Sequence, residues 1–224
     1  ACPAGAMELL GTVWSVKDLV DELERDRVYF EQSGGGVTLS GGEPRLQPDF
    51  SLALIRELKR RGISVALDTC GLCAWETLET LAAEADGVLY DIKLIDSSDH
   101  AHWTGARNER ILTNLEKLAH LYKQTGKELW IRTPLIPGAT VSAGNLGGIS
   151  AYLAQDLPNV VARWELCAFN NLCKDKYERL GLTWQFADTP LMTKAELAQA
   201  HAWAGVGGFA PERTFVTGAA KLEV

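Results

Sequence analysis

The sequence lacks any hydrophobic run close to the ~20 residues that a membrane-spanning helix requires, and no signal-peptide pattern is visible. It also lacks a basic stripe, because the net charge is −7 and the longest run of Lys or Arg is the triplet at 59–61. That triplet falls where a helix is expected to end, so a favourable contact with the helix dipole explains it. Since binding to a nucleic-acid backbone requires clustered positive charge, we expect neither a nucleic acid nor a membrane as a partner.

A disulfide framework is missing as well. The five cysteines are odd in number and scattered at positions 2, 70, 73, 167 and 173, which indicates a reducing compartment such as the cytoplasm. Cys70 and Cys73 form a C-x-x-C motif, but a zinc or cluster site needs more ligands than this pair offers, so a structural role is favoured. The four histidines have no metal-ligand spacing, and we expect His100 and His102 to lie solvated in a polar loop.

What is present is an ordinary globular composition in which helix and strand signals alternate. Hydrophobic residues make up 46% and charged residues 23% of the 224 residues, enough for one domain with a sizeable core. Short apolar stretches predict buried strands at 37–39, 65–67, 88–90, 129–131 and 162–166, with a shorter sixth at 214–217. This alternation favours an α/β fold with a parallel sheet. The strands are too few for a closed eight-stranded barrel, so we expect a partial parallel (β/α) barrel or an open doubly wound sheet.

Two helix starts are especially clear in the sequence. Ser15 can cap a helix whose apolar positions share one face, namely Val16, Leu19, Val20 and Leu23. Thr193 and Glu196 have the spacing of a capping box and predict the start of the last helix.

Polar or glycine-rich segments follow five consecutive predicted strands. They are Ser40–Pro44, Asp68–Gly71, Asp91–Lys93, Arg132 and Ala168–Asn171. In parallel α/β folds the carboxyl ends of the strands meet at one rim, and functional groups gather there. A core strand would not need charges at these positions, because buried charge is costly unless it is paired. A functional site is therefore predicted at this rim.

Several of these groups match a zwitterionic amino-acid ligand. Gly41 and Gly42 would let a ligand approach the backbone closely, and the Glu43 carboxylate beside them suits an ammonium group. Lys93 and Arg132 suit a carboxylate. The structural alternative is a plain strand–helix turn at the glycines, with the two cations paired to the aspartates of the rim.

Five blocks of the sequence, taken together and in order, identify a family. They are Gly34–Pro44, Leu67–Gly71, Tyr90–Lys93, Trp103–Leu112 and Ile131–Gly138. They resemble the glycyl-radical-enzyme activating proteins of the radical S-adenosylmethionine (SAM) superfamily. Within that family the resemblance is to the branch akin to pyruvate formate-lyase activating enzyme that carries an inserted ferredoxin-like segment.

The resemblance implies a specific chemistry. In this family a [4Fe–4S] cluster binds SAM, and an electron from the cluster cleaves the sulfonium to give a 5′-deoxyadenosyl radical. That radical removes a hydrogen atom from a backbone glycine of a partner, the glycyl-radical enzyme. A flavodoxin or a ferredoxin-type protein is the expected electron donor. Because the cofactor carries the chemistry, no side chain is expected to act as a catalytic acid or base.

The resemblance also assigns binding roles, position by position. Gly41, Gly42 and Glu43 would hold the methionyl ammonium group, and Lys93 and Arg132 the carboxylate side. Further cofactor-binding positions on the same rim would be Asp68, Asp91, Ile92 and Asn170, with the two aspartates as possible neighbours of a monovalent cation.

Two departures from the family pattern stand out. Related activators have a His where this chain has Asn170, and an Asn side chain cannot titrate near neutral pH. The larger departure is that the radical-cluster motif Cys-x3-Cys-x2-Cys is absent from the 224 residues. Cys2 and Pro3 resemble the end of a ferredoxin-type cluster motif, which makes Cys2 a predicted metal ligand of an additional [4Fe–4S] cluster.

These departures define the expected domain organisation. Residues 1–11 would be the end of a ferredoxin-like [4Fe–4S] insert, and residues 12–224 a radical SAM partial barrel that lacks its first strand. We expect the missing part upstream of Ala1 and the given chain to be inactive alone. The unpaired edge left at the first strand would make the isolated chain poorly soluble.

Two other classes of function stay open at this point. The chain could be a non-catalytic, degenerate binding module that keeps a partner-docking surface without the cluster. It could also be a Schiff-base lyase or aldolase, in which Lys93 is the nucleophile and Asp91 and Glu43 act as acid and base.

Overall fold

A computed structural model describes residues 11–221 and shows one parallel sheet of six strands. The strands are β1 (Gly36–Leu39), β2 (Ser64–Thr69), β3 (Gly87–Asp91), β4 (Glu128–Leu135), β5 (Val161–Ala168) and β6 (Thr214–Thr217). Each strand pairs in parallel with the next one in the chain, so the order β1-β2-β3-β4-β5-β6 never reverses. A doubly wound sheet would reverse at a switch point. The partial barrel is therefore confirmed, and β1 and β6 are its two edges.

Two helices precede β1, and the others connect successive strands. In the described part of the chain they are α1 (Val16–Leu23), α2 (Arg27–Ser33), α3 (Pro48–Arg60), α4 (Trp75–Glu84), α5 (Ser97–Thr104), α6 (Glu109–Thr125), α7 (Ala143–Asp156), α8 (Lys174–Arg179) and α9 (Lys194–Gly205). Both predicted helix starts are confirmed: the Ser15 side chain accepts from the Asp18 N–H, and Thr193 and Glu196 form a reciprocal capping box. None of the described helices is long and apolar enough to cross a membrane.

The two faces of the sheet have different characters because side chains alternate along each strand. One face packs against the helices and is fully buried; it includes Val65, Leu67, Val88, Tyr90, Leu129, Ile131 and Trp164. The residues between them remain partly exposed, among them Ala66, Asp68, Leu89, Asp91, Trp130, Arg132, Arg163 and Glu165. We call this second side the open face.

The open face is apolar near the amino ends of the strands and charged near their carboxyl ends. A recess of about 400 Å³ lies near the amino ends of the strands, and Thr38, Ala66, Leu89 and Trp130 contribute to its lining. The charged groups follow one or two residues further along each strand, which places them at the rim.

The expectation for His100 was wrong. His100 lies on α5 and is 5% exposed, with its Nδ1 atom 2.6 Å from the carbonyl oxygen of Ala106. The short run Ser97–Thr104 has little hydrophobic periodicity to distinguish it from a loop. The buried position of His100 instead reflects the contact of its imidazole ring with the backbone carbonyl of Ala106.

The basic triplet does lie at the end of α3, but ion pairs hold it there as well. Lys59 pairs with Asp86 at 2.7 Å, and Arg60 pairs with Glu57 at 2.7 Å. Arg61 contacts Asp21 at 2.8 Å and also Glu24 of the preceding segment. The triplet thus ties α1 to α3 beside the first strand.

Candidate functional site

Charged side chains at the carboxyl ends of β2, β3 and β4 lie together as the sequence predicts. The Arg132 Nη1 group donates to Asp68 Oδ2 at 2.8 Å, and Ser40 Oγ donates to the same oxygen at 3.0 Å. Lys93 Nζ donates to Asp91 Oδ2 at 2.8 Å. The structural alternative, in which both cations pair with aspartates of the rim, is therefore what the structure shows. Any anionic ligand of Lys93 or Arg132 must compete with these aspartates.

The loop after β1 combines an open backbone with a fixed carboxylate. Gly41 has a φ of +122°, and no heavy atom lies within 4 Å of a Cβ built on Gly41 or Gly42. Close approach of a ligand to this backbone is thus sterically free, as predicted. Glu43 points to the end of β2, where its carboxylate accepts from Thr69 Oγ1 at 2.6 Å, Cys70 N at 3.1 Å and Cys70 Sγ at 3.0 Å. Glu43 therefore tethers the glycine loop to β2.

The thiol of Cys70 is shaped by the same contact. Burial and the hydrogen bond to Glu43 both raise the pKa of Cys70, since each disfavours the thiolate. Cys73 is buried at 8% exposure, and burial raises its thiol pKa too. Both thiols are free, so the C-x-x-C motif forms part of the packing behind the rim.

Two asparagines that sequence reasoning did not single out hold the backbone around Lys93. Asn145 Nδ2 donates to the Lys93 carbonyl at 3.0 Å, and its Oδ1 accepts from Ile95 N at 2.9 Å. Asn108 Nδ2 donates to the carbonyls of Leu94 and Ile95 at 3.0 and 2.9 Å. Asn108 is 3% and Asn145 is 7% exposed. The only sequence signal for Asn108 was its place in a family-like block, and Asn145 gave none.

A third buried asparagine holds the segment after β2. Asn114 Nδ2 donates to the carbonyls of Gly71 and Cys73 at 2.8 and 3.0 Å. Its α6 neighbours on the same face are apolar, so the helix periodicity marks it only as a core position. Asn114 is polar at a core position because its side chain binds the backbone carbonyls of the segment that follows β2.

Ile92 and Asn170 lie differently from the charged groups. The Ile92 side chain is 2% exposed, and its N–H extends the pairing to β4 by donating to the Arg132 carbonyl at 3.0 Å. Asn170 is exposed, and its Oδ1 accepts from Leu172 N at 3.2 Å in a local turn. Ile92 can meet a ligand only through its backbone, and the Asn170 side chain is engaged in its own turn.

Glu165 is a further charged residue of the site that sequence reasoning missed. The register of β3, β4 and β5 places Asp91, Arg132 and Glu165 side by side. Glu165 Oε2 lies 3.6 Å from Arg132 Nε. Its signal in the sequence was a charge inside a predicted strand, one residue before the predicted strand end at Leu166.

The described residues do not offer the ligand set of an iron–sulfur cluster. Between residues 11 and 221 no three His, Cys, Asp or Glu side chains are arranged to hold a metal ion. Cys2, the predicted metal ligand, lies outside the described residues, as do positions 1–10 of the predicted insert. The rim does fit the zwitterionic end of SAM, because open glycine backbone and a partly exposed Arg and Lys occur together there.

The Schiff-base alternative fits the geometry poorly. A Schiff-base nucleophile must be free to attack a carbonyl carbon, whereas Lys93 Nζ is held at 2.8 Å by Asp91 Oδ2. Glu43 is also engaged with β2, away from a role as a free acid or base.

Comparison with known proteins places this geometry in a family. Residues 2–143 match the family model described as the radical SAM superfamily. The chain is 43% identical over 176 residues to the trans-4-hydroxy-L-proline dehydratase activating enzyme of Clostridioides difficile, covering 78% of this chain and 57% of that protein. It is 34% identical over 197 residues to the pyruvate formate-lyase 2-activating enzyme of Escherichia coli (strain K12), covering 88% of this chain and 65% of the relative.

Solved structures agree on the fold. A domain of a pyruvate-formate lyase-activating enzyme from Bacteroides vulgatus superimposes with a TM-score of 0.64 and 26% identity, covering 82% of this chain and 99% of that one. A radical SAM methyltransferase from Sphaerobacter thermophilus gives a TM-score of 0.65 at 13% identity, covering 91% and 57%, which supports the fold alone. The chain spans 57% and 65% of the length of the two curated relatives.

Proposed function

Because this chain belongs to the radical SAM superfamily, we propose that it is the SAM-binding part of an enzyme that activates a glycyl-radical enzyme. The observation that carries the proposal is the meeting of Gly41, Asp68, Asp91, Lys93 and Arg132 at one rim of a partial barrel. The first curated relatives are named as activating enzymes, which supports the reaction class. SAM in this superfamily supplies a 5′-deoxyadenosyl radical, and the residues of this chain would serve to bind SAM.

Binding of the methionyl group would proceed by exchange of partners. The carboxylate of SAM would take the place of Asp68 on Arg132 and of Asp91 on Lys93, since both cations are partly exposed. The ammonium group would meet the backbone at Gly41 and Gly42, where there is open space. Glu43 would act by fixing this loop on β2. The released aspartates would then border the ligand. Ile92 and Asn170 would lie next to these groups at the rim.

The [4Fe–4S] cluster would have to be held by residues outside these 224. The sequence has no Cys-x3-Cys-x2-Cys motif, and the described part of the chain has no metal-ligand group. An additional cluster with Cys2 as a ligand remains a prediction. The given chain would therefore bind SAM weakly and would not cleave it.

The partner would be a glycyl-radical enzyme, and the electron donor a flavodoxin or a ferredoxin-type protein. The curated relatives are named for different glycyl-radical enzymes, including a dehydratase and a lyase. Their names therefore support the partner class and no single member of it. A cytoplasmic site of action is consistent with the four free cysteines of the described residues.

Ligand-observed NMR titration with SAM tests the binding role, because it detects weak complexes. We expect saturable binding by the chain, and at least tenfold weaker binding by Arg132→Met and Lys93→Met, since each loses a charge-assisted contact worth roughly 1.5–3 kcal/mol. Arg110→Met is the matched control, because Arg110 is exposed on α6. Absence of SAM binding, or equal binding by all variants, would contradict the proposal.

A second assay tests the location of the cluster. The chain is incubated anaerobically with iron, sulfide, dithionite and SAM, and 5′-deoxyadenosine is measured. We expect none above the level without protein. Formation at the rate of a complete activating enzyme would show that the cluster ligands lie within these residues.

A further inference from the structure

Four charged side chains of alternating sign form a chain across the open face of the sheet. They are Asp68 on β2, Arg132 on β4, and Glu165 and Arg163 on β5. Arg132 reaches Asp68 with Nη1 at 2.8 Å and lies with Nε 3.6 Å from Glu165 Oε2. Glu165 Oε1 lies 2.9 Å from Arg163 Nε. Glu165 therefore sits between two guanidinium groups, and only one of them belongs to the proposed SAM site.

Arg163 is held in place by aromatic rings. Its guanidinium carbon lies 4.8 Å from the ring centre of Trp130 and 4.3 Å from that of Phe215, on the two strands that flank β5. A guanidinium stacked between two rings is restrained in position and orientation. Arg163 thereby provides a fixed positive charge for one oxygen of Glu165.

The environment of Glu165 requires this compensation. Its side chain is 12% exposed, the lowest value among the acidic partners of the rim cations. A buried carboxylate is tolerated when charges of opposite sign surround it. With Oε1 facing Arg163, Oε2 is left to face Arg132. The Nε atoms of both arginines are buried without an aligned hydrogen bond, and the carboxylate next to Arg132 Nε is that of Glu165, at 3.6 Å.

We infer that Glu165, fixed by Arg163, is a positioning residue that holds the Nε edge of Arg132 so that its Nη groups face the carboxylate of SAM. The inference rests on the proposed function of Arg132. When Nη1 leaves Asp68 for the ligand, Glu165 becomes the remaining acidic partner of Arg132 within the protein. It then limits rotation of a side chain that has many rotamers, which preserves bidentate geometry toward the ligand carboxylate.

The test compares two ligands that differ only in the carboxylate. SAM and decarboxylated SAM are titrated by ligand-observed NMR into the chain and into Glu165→Ala, Glu165→Gln and Glu79→Ala. Glu79 is the matched control, since it lies exposed on α4. We expect Glu165→Ala to weaken SAM binding about tenfold and to leave the affinity for decarboxylated SAM unchanged. Glu165→Gln keeps an acceptor oxygen, so its affinity for SAM should lie between that of the unaltered chain and that of Glu165→Ala.

A merely structural role would have a different signature. If Glu165→Ala weakened both ligands equally, or neither, the positioning role would be wrong while SAM binding by the unaltered chain still supported the proposed function. If the unaltered chain bound neither ligand, both proposals would fail. Should Glu165→Ala lose its folded circular dichroism spectrum, Glu165→Gln provides the same comparison, and an equal effect of that variant on both ligands overturns the inference.

Discussion

Gly71 leaves the space that the hydroxyl group of Tyr90 occupies: a Cβ built on Gly71 would lie 1.6 Å from Tyr90 Oη. Tyr90 is fully buried and donates to the Ile111 carbonyl at 2.8 Å. Gly71 also has a φ of +68°. The segment after β2 is thus packed directly on a core side chain of β3, which links the rim to the interior.

Substitution of Gly71 by Ala should lower the free energy of unfolding by more than the cost of placing an alanine in a left-handed backbone conformation. Gly62 is the matched control, because its φ is +74° and a Cβ there would meet no atom within 4 Å. We expect Gly62→Ala to cost about 1–2 kcal/mol and Gly71→Ala about 3 kcal/mol or more, since Tyr90 must move. Urea unfolding of both variants measures the difference. Equal losses would mean that Tyr90 gives way without cost.

Asn145 should matter to both stability and ligand binding. Replacement by Ala leaves the Ile95 N–H and the carbonyls of Lys93 and Thr140 without their partner. Unsatisfied buried groups cost about 1–3 kcal/mol each, so we expect a loss of roughly 2–4 kcal/mol in urea unfolding and weaker SAM binding because Lys93 shifts. The exposed Asn171→Ala should change neither quantity. Loss of stability with unchanged SAM affinity would separate Asn145 from the site.

Glu43 should control the reactivity of Cys70. Since the hydrogen bond to Glu43 and burial both raise the Cys70 pKa, Cys70 should alkylate slowly at pH 7.5. In Glu43→Ala the loop loses its tether to β2, and Cys70 should react several-fold faster. Mass spectrometry after iodoacetamide labelling measures each site, and the exposed Cys173 is the internal reference. Unchanged Cys70 labelling in Glu43→Ala would contradict the tether.

Acid should remove the contribution of Glu57 to stability. The guanidinium groups of Arg60 and then Arg61 lower the pKa of Glu57 from 4.5 to about 2. A depressed carboxyl pKa stabilises the folded state above the unfolded value and loses that effect as the pH falls toward the folded one. The stability difference between the unaltered chain and Glu57→Gln should therefore stay constant from pH 7 to 5.5 and shrink between about pH 4.5 and 2. Urea midpoints across this range test it, and a difference that stays constant down to pH 3 would contradict the ion-pair assignment.

Local signals account for the elements that were predicted well. The apolar spacing after Ser15 and the capping box at Thr193 depend on residues three or four positions apart, so the printed sequence contains the whole cause. The same is true of the short apolar strands followed by polar or glycine-rich segments. The short helices α2, α5 and α8 were not predicted, because their sequences have no comparable hydrophobic periodicity.

At the charged rim, the sequence predicts which groups share the site, and the structure decides which of them pair. The sequence indicated that Lys93 and Arg132 share a site with acidic groups, since successive parallel strands end at one rim. It left open whether these groups bind a ligand or each other, and the structure pairs Lys93 with Asp91 and Arg132 with Asp68. Lys93 and Asp91 lie two positions apart in the sequence, whereas Arg132 and Asp68 lie on different strands and meet only in the assembled sheet.

The sequence by itself determined the α/β class, the succession of strands along the chain and the chemical character of the rim, because these follow from local periodicity and residue type. Only the tertiary structure decided which groups touch: Glu43 on the end of β2, Asn145 on Lys93 and Glu165 between two arginines. Apart from Glu165 and Arg163, these contacts join residues far apart in the sequence, as Glu43 and Thr69 do with a separation of 26. Long-range pairing depends on how helices and strands pack, and no window of neighbouring residues contains that information.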